Sequence, residues 1–288
     1  MTAEKQTLNN CRKKSRPDPY IRKVKMLNGK RIIVVLPAYN AEKTLEKTIS
    51  EIDTQVVDDI LLVDDCSSDE TVELAKKLGL KVFLHNQNYG YGRNQKTCYS
   101  EALKHGADVI VMLHPDYQYY PKLVPAMAAM IVSDEYELVM GSRILGGKAR
   151  MGGMPLYKYV SNRILTLLEN FIIGSKLSEF HSGYRAFSKK CLESLPLQEN
   201  SDDFLFDNEM IAQAIFFDFS VGEISCPTRY FPEASSINFK RSVVYGVGVL
   251  WTAVRFRLQK WGLRQFSIFS GSDRVSPKDY YRQISPSN

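Results

Sequence analysis

Val111-Met112-Leu113-His114-Pro115-Asp116-Tyr117-Gln118 closes an apolar run that begins at Val109 and stops abruptly at a cluster of candidate metal ligands. A run of strand length ending in Asp and Gln sets oxygen atoms at the carboxyl edge of a strand, where open α/β sheets bind ligands. Hard divalent cations such as Mg2+ or Mn2+ favour such oxygens, usually taking one or two carboxylates and completing the shell with water and substrate phosphates. A surface turn would account for the same cluster taken alone.

The chain on either side favours a sheet. Apolar segments of strand length cover 32–36, 60–63 and 81–84 upstream and 138–140 downstream. Amphipathic stretches of helix length separate them, over 42–52, up to about Leu78, over 93–104 and over 121–131. Ser67 or Ser68 would cap the second of these, with Asp69 and Glu70 in its first turn. The alternation predicts an α/β fold whose mixed, mainly parallel sheet is doubly wound by flanking helices.

Past Gly141 the pattern loosens into the glycine-rich segment 146–153, expected to be mobile or folded around a ligand. Helices are expected over about 156–173 and 203–217, and a short strand over 221–226. A C-terminal helical extension begins near Phe239, and its apolar run, 243–254, falls short of the roughly 20 residues that cross a bilayer. With Arg255, Arg257, Lys260, Trp251 and Trp261 it suits a membrane interface or a partner contact, and packing on the main domain is the alternative. These boundaries give a basic tail over 1–28, a principal domain over 29–238, the extension over 239–262 and a C-terminal tail over 263–288.

Charge sharpens that division. The net charge of +6 arises at the ends: residues 1–31 carry +8, residues 240–288 carry +7, and the segment between them carries −9. Basic termini suit an anionic membrane surface, and a solvated tail is the plain alternative. Five scattered cysteines without a CxxC pair indicate neither a zinc site nor a disulfide framework. No apolar run follows the charged N-terminus, which predicts no secretory signal and a cytoplasmic protein.

Two strand ends carry further chemistry. Pro37-Ala38-Tyr39-Asn40 ends the first and Asp64-Asp65-Cys66-Ser67-Ser68-Asp69 the second. Together they suit a nucleoside, with Tyr39 against the base and Asp65 accepting from ribose hydroxyls or base N–H groups; helix capping explains the carboxylates equally well. Asn88-Tyr89-Gly90-Tyr91-Gly92-Arg93 supplies Gly-x-Gly, but Gln95 stands where a dinucleotide fingerprint needs its third glycine. The glycines permit close backbone approach and Arg93 would face a diphosphate, unless the segment is simply a helix entry.

Taken in order, Pro37-Ala38-Tyr39-Asn40, Val63-Asp64-Asp65-Cys66-Ser67-Ser68-Asp69, Asn88-Tyr89-Gly90-Tyr91-Gly92, His114-Pro115-Asp116, Gly141-Ser142-Arg143 and Ser182-Gly183-Tyr184-Arg185 resemble the family 2 glycosyltransferases of the GT-A fold. The resemblance is strongest to the dolichyl- and polyprenyl-phosphate sugar synthases and covers roughly residues 30–240. It implies a Rossmann-like GT-A sheet, with nucleotide contacts from Pro37, Tyr39, Glu42, Asp64, Asp65, Asn88, Gly92 and Arg93. Ala41 separates Asn40 from Glu42, whereas the family's Glu directly follows its Asn. The family's Asp-x-Asp metal motif continues to Gln in this branch; Asp116 and Gln118 match, and His114 replaces the first Asp. Imidazole is softer than carboxylate and better matched to Mn2+ than to Mg2+, so His114 would bind the metal, act through water, or only orient the diphosphate.

Arg143 and Arg185 are implied to approach the diphosphate or an acceptor phosphate. Glu209, near Asp207 in Phe206-Asp207-Asn208-Glu209-Met210, would take the proton of an alcohol acceptor; an anionic acceptor needs no strong base. The segment from Pro227 to Ile237 resembles the family's closing loop, where Arg229 and Ser235 would cover the donor. The implied activity is metal-dependent, inverting transfer of a sugar from a UDP- or GDP-sugar to a polyprenyl phosphate or other membrane-linked acceptor, by a protein in peripheral contact with the membrane. The alternatives are transfer to a hydroxyl with Glu209 as base, or sugar nucleotidyl transfer, which would require a Gly-rich basic signature after the first strand. Nucleic-acid binding rests on charge alone without a recognition motif, so no nucleic-acid partner is expected.

Overall fold

The computed structural model describes residues 27–230, 239–270 and 280–284. Its strands are β1 (Ile32–Ala38), β2 (Asp59–Asp64), β3 (Lys81–His85), β4 (Val109–Met112), β5 (Leu138–Ser142), β6 (Arg185–Ser188), β7 (Val221–Ser225) and β8 (Tyr281–Ile284). They form one sheet in the order β7-β5-β6-β4-β1-β2-β3-β8. Pairing is parallel within β4-β1-β2-β3 and between β5 and β7, and antiparallel where β6 joins β4 to β5 and where β8 covers β3. The mixed, mainly parallel sheet follows the sequence reading. β6 was not expected as a strand, because its four residues begin with an arginine and end with a serine and give no apolar run.

The helices are α1 (Leu45–Ser50), α2 (Thr71–Lys77), α3 (Tyr91–Lys104), α4 (Val124–Val132), α5 (Leu156–Glu169), α6 (Lys189–Ser194), α7 (Phe206–Phe216) and α8 (Phe239–Lys260). Alternate residues of the central strands feed two cores. Ile32, Val34, Leu36 and Leu62 meet Leu45, Ala75, Met127 and Ile131 on one face. Ile33, Val35, Leu61 and Val63 meet Tyr99, Phe206 and Met210 on the other. Burial on both faces accounts for the continuous apolar runs, as in a doubly wound sheet.

Several local expectations are corrected. Neither Ser67 nor Ser68 caps α2: Ser67 Oγ donates to Asp64, and Asp69 Oδ1 instead accepts from the Thr71 amide at 3.0 Å. Asp69 wins because its longer side chain reaches back over the first turn from just outside the helix. The segment 146–153 folds on the protein's own chain. Tyr230 N donates to the Gly152 carbonyl at 3.0 Å, and a side chain at Gly152 would strike the Thr228 carbonyl.

Beyond residue 238, Ala253 and Phe256 of α8 are buried in the same core as Phe206 and Met210. The other face of α8 exposes Val243, Val244, Val247, Trp251 and Val254. The stretch expected as a C-terminal tail carries β8. The N-terminal tail, residues 1–26, lies outside the described residues.

α5 inverts the ordinary helix pattern. Leu156, Val160, Ile164, Leu167 and Phe171 form one stripe at helical spacing, continuing into the π-helical turn Asn170–Gly174, and all are exposed, Phe171 by 84%. The buried residues of α5 are polar: Asn162, Thr166 and Glu169, again at helical spacing.

Candidate active site

The carboxyl ends of β1, β2 and β4 open into a cleft of about 650 Å3, lined by Pro37, Tyr39, Asn40, Asp65, Asn88, Tyr89, His114 and Asp116 among others. A second cavity of about 490 Å3 lies beyond it, bounded by α5, α8 and the ends of β4 and β5. Four residues belong to both: Tyr91, His114, Asp116 and Phe204. The cluster at the end of β4 is therefore the wall that the two cavities share.

In the first cleft, Asp65 is fixed at the end of β2. Its Oδ1 accepts from the Tyr89 amide at 2.9 Å and from His85 Nδ1 at 2.7 Å, and its Oδ2 accepts from the Gly90 amide at 2.9 Å. Half-exposed Tyr39 lies at the rim. Pro37, Tyr39, Asp65 and Asn88 are thus brought together as expected, and four other residues are not. Glu42 is turned away and accepts from the Glu70 amide ahead of α2 at 3.0 Å. Asp64 is buried and accepts from the Ser67 amide, holding the turn, and burial pushes its carboxyl up.

Arg93 pairs with Asp202 at 2.7 Å. Gly90 and Gly92 admit protein, not phosphate: a Cβ at Gly90 would lie 2.8 Å from the Asp202 carbonyl, and one at Gly92 would strike the Ser201 carbonyl. The Gly92 amide donates to Asp202 O at 2.7 Å.

At the shared wall, His114 stacks on Tyr91 with ring centroids 5.3 Å apart, and His114 Nε2 is 3.0 Å from the Tyr91 hydroxyl. That hydroxyl donates its one proton to Asp207 Oδ2 at 2.7 Å, so the imidazole must supply the proton of its own contact. Burial lowers the His114 pKa and leaves the ring neutral. His114 is accordingly the Nε2–H tautomer, with a lone pair on Nδ1 that no hydrogen bond uses among the described residues. Gly183 makes room for this pair: a Cβ there would be 2.7 Å from His114 Nε2 and 2.9 Å from the Tyr91 hydroxyl.

Asp116 Oδ1 accepts from the Gln118 amide at 3.0 Å, and among the described residues Oδ2 has no hydrogen bond. Burial raises the Asp116 pKa, a cost that a bound cation would offset. A neutral imidazole with an unused lone pair and a carboxylate oxygen without a donor fit a divalent cation. Gln118 lines the second cavity on the same turn. Among the described residues no three His, Cys, Asp or Glu side chains converge on a metal position, so such a cation would complete its shell with phosphate oxygens and water.

Arg143, after β5, reaches the second cavity while held by its neighbours. Its Nε donates to Glu179 Oε1 at 2.7 Å, its Nη1 to the Tyr230 hydroxyl at 3.1 Å and its Nη2 to the His181 carbonyl at 2.8 Å. Burial alone would raise the Glu179 carboxyl, but the guanidinium holds it below the usual range. Lys158 of α5 lines the same cavity with no ion pair among the described residues; burial and then Arg143 lower its pKa.

The other two expected polar groups are engaged elsewhere. Arg185 is fully buried, with Nη1 donating to the Asp207 carbonyl and 3.3 Å from Asp207 Oδ1, and it reaches neither cavity. Glu209 accepts from Arg255 Nη2 and the Ser201 amide, tying α7 to α8 and to the preceding loop. A helix sends residues two apart to different sides, and here Asp207, not Glu209, faces the cavity. Arg229 lies over the rings of Tyr117 and Tyr120, 4.5 and 4.0 Å from their centroids. Ser235 lies outside the described residues.

Sequence reasoning missed Tyr91, Lys158, His181 and Tyr245 as cavity residues. It also missed the apolar row 156, 160, 164, 167 and 171, whose helical spacing was a readable signal.

An open sheet of this order, with a cleft across the β1 and β2 ends and a carboxylate at the end of β4, has the GT-A architecture, and the protein is a glycosyltransferase. The family model "Glycosyl transferase family 2" matches residues 33–195, more than half of the chain, and the chain belongs to that family. It is 31% identical over 218 residues to the UDP-N-acetylglucosamine–dolichyl-phosphate N-acetylglucosaminyltransferase of Methanococcus voltae, covering 70% of this chain and 86% of the relative. An uncharacterized protein of Methanocaldococcus jannaschii is 29% identical over 228 residues, covering 79% and 93%. Among solved structures, glucosyl-3-phosphoglycerate synthase from Mycobacterium tuberculosis bound to uridine diphosphate superposes with a TM-score of 0.62 at 20% identity, over 90% of this chain and 89% of that one.

Proposed function

We propose that the protein transfers a sugar, with inversion, from a nucleoside diphosphate sugar to an isoprenoid phosphate at a membrane surface. One observation carries this reading. A cleft suited to a nucleotide and an apolar cavity with a cationic wall meet at His114 and Asp116, so a donor's anomeric carbon and an acceptor's anionic oxygen can share that wall. The printed name of the M. voltae relative specifies a UDP-sugar and a dolichyl phosphate, which supports the same pair here.

In this reading Pro37, Tyr39, Asp65 and Asn88 hold the nucleoside. Asp116 and His114, with Gln118, would hold Mg2+ or Mn2+, which supplies charge to stabilise the departing diphosphate. Arg143 and Lys158 attract and orient the acceptor phosphate from the opposite side. Excluding water from an apolar cavity strengthens these interactions and limits hydrolysis of the donor. A phosphate acceptor is already anionic and needs no general base, so Asp207 serves to hold Tyr91 and Arg185 in place.

The exposed stripes of α5 and α8 would lie on the lipid. They flank the cavity through Tyr157, Ile164 and Val243, and no described helix is long and apolar enough to cross a bilayer. The test is a panel of UDP- and GDP-sugars with Mg2+ or Mn2+, with and without polyprenyl phosphate in vesicles. Lipid-dependent release of nucleoside diphosphate and formation of a glycosylated lipid are expected. Equal turnover with a soluble phosphate or hydroxyl acceptor and no lipid product would overturn the acceptor assignment.

A further inference from the structure

Glu169, near the end of α5, is fully buried and has no part in the chemistry described so far. Its Oε1 accepts from Asn208 Nδ2. Its Oε2 lies 3.4 Å from His181 Nε2, too long for a well-formed hydrogen bond, and among the described residues neither of these two buried, facing atoms has a hydrogen-bond partner. On the far side of the ring, His181 Nδ1 is 3.0 Å from the Tyr245 hydroxyl, and His181 and Tyr245 both line the apolar cavity.

Among the described residues no lysine or arginine pairs with Glu169. Arg143 is paired with Glu179, Arg185 with Asp207 and Arg255 with Glu209, while Arg257 donates to the Ile172 carbonyl. Burial raises the Glu169 carboxyl to about 8 and lowers His181 to about 4, so near neutral pH both are uncharged.

One placement of protons gives each of these orphaned atoms a partner once the 3.4 Å gap between them closes. Protonated Glu169 donates to His181 Nε2, which puts the ring's only proton on Nδ1. Nδ1–H donates to the Tyr245 oxygen, and the Tyr245 proton is left to point into the cavity. We infer that Glu169 and His181 form a relay that presents the Tyr245 hydroxyl as a hydrogen-bond donor to the acceptor's phosphate oxygen. Tyr245 is a binding residue, and Glu169 and His181 are positioning residues. The inference rests on the cavity being the acceptor site.

The relay has a direction that pH reverses. Above about pH 8 Glu169 loses its proton to solvent. The carboxylate then draws the imidazole proton to Nε2, Nδ1 becomes an acceptor, and Tyr245 turns its own proton inward. The other charged groups around the chain are Glu179 and Arg143 beside His181, and Asp207 and Arg185 beside Tyr245; each is already paired with the other member of its set.

The experiment is calorimetric titration of the full chain with citronellyl phosphate, a short water-soluble isoprenoid phosphate, near pH 7 and near pH 9. Wild type, Tyr245→Phe, Glu169→Gln and Ile164→Glu are compared, with UDP binding as the check that each donor cleft is intact. A hydrogen bond to a charged group is worth about tenfold or more in affinity. Tyr245→Phe should lose that factor near pH 7, and wild type should lose the same factor between the two pH values. Glu169→Gln, which keeps a neutral donor facing His181, should bind like wild type near pH 7 and show no such fall. Undiminished binding by Tyr245→Phe, or a persisting fall in Glu169→Gln, overturns the relay and leaves the acceptor cavity standing. Absence of binding by wild type, or binding that Ile164→Glu does not weaken, removes the acceptor reading and the relay with it.

Discussion

The two cavities that meet at Asp116 are built in opposite ways. The donor cleft is made of strand ends and turns, where carboxylates meet backbone amides: Asp65 accepts from two amides of the Tyr89–Gly90 turn. The apolar cavity is made of helices, and one of them, α5, sends polar residues inward and apolar residues outward. A cleft of the first kind recognises through fixed backbone geometry and works in water. The second kind makes sense where the outer face of α5 is also out of water, because an exposed apolar stripe of this length carries a solubility cost that a soluble surface has no reason to bear.

The largest expected effect falls on Asp116, one of the four residues that belong to both sides. Asp116→Ala should reduce sugar transfer by roughly a hundredfold to a thousandfold, the range for loss of a key transition-state electrostatic partner, with an unchanged melting temperature. Near-wild-type nucleoside diphosphate release by that variant would dissolve the shared-wall picture. Lys158→Gln tests the acceptor side alone: KM for the lipid phosphate should rise about tenfold to a hundredfold, with KM for the donor unaffected. Asp65→Asn is its counterpart on the donor side and should raise the donor KM about tenfold while sparing the acceptor KM. If either variant shifts both constants equally, the division between the cavities is wrong.

Phe171→Glu probes the outer face. Removing an exposed Phe should leave folding intact and weaken binding to anionic vesicles about tenfold, since burying such a side chain contributes about 1.5–3 kcal/mol. Unchanged vesicle sedimentation would separate α5 from the membrane.

The last prediction concerns stability and leaves both cavities' affinities aside. Glu169 holds its proton in the folded protein up to about pH 8, whereas an exposed glutamate releases it near 4.5. The raised pKa means that stability is fully present below the unfolded value and falls as pH rises towards the folded one, by on the order of a few kcal/mol in all. Glu169→Gln should flatten that slope in denaturant titrations and melt above wild type near pH 8.

The same contrast explains what the sequence could convey. The donor side was legible because strand ends are marked by the end of an apolar run, which located Pro37, Tyr39, Asp65, Asn88 and Asp116. The ion-pair partners of the arginines were not, since they lie far along the chain. Arg93 is taken by Asp202 and Arg143 by Glu179, pairings of sequence separation 109 and 36 that no local pattern announces. Glu209 and Asp207 could not be ranked without knowing which side of α7 meets the sheet. β6 was hidden because Arg185 heads it, buried among carbonyl groups. α5 had the opposite problem: its apolar stripe was readable, but apolar spacing predicts an inward face, and this stripe faces out.

The strand that covers the sheet's edge also bears on how the proposed donor site is completed. Tyr280 packs against His85 and Tyr89, the Asn86 amide donates to its carbonyl at 3.2 Å, and its hydroxyl is 3.0 Å from Thr97 Oγ1. His85 and Tyr89 are two of the three residues that fix Asp65. One side of the cleft is thus backed by a segment almost two hundred residues further along the chain. The edge that backs the proposed donor site is complete only with residues 281–284 paired onto β3.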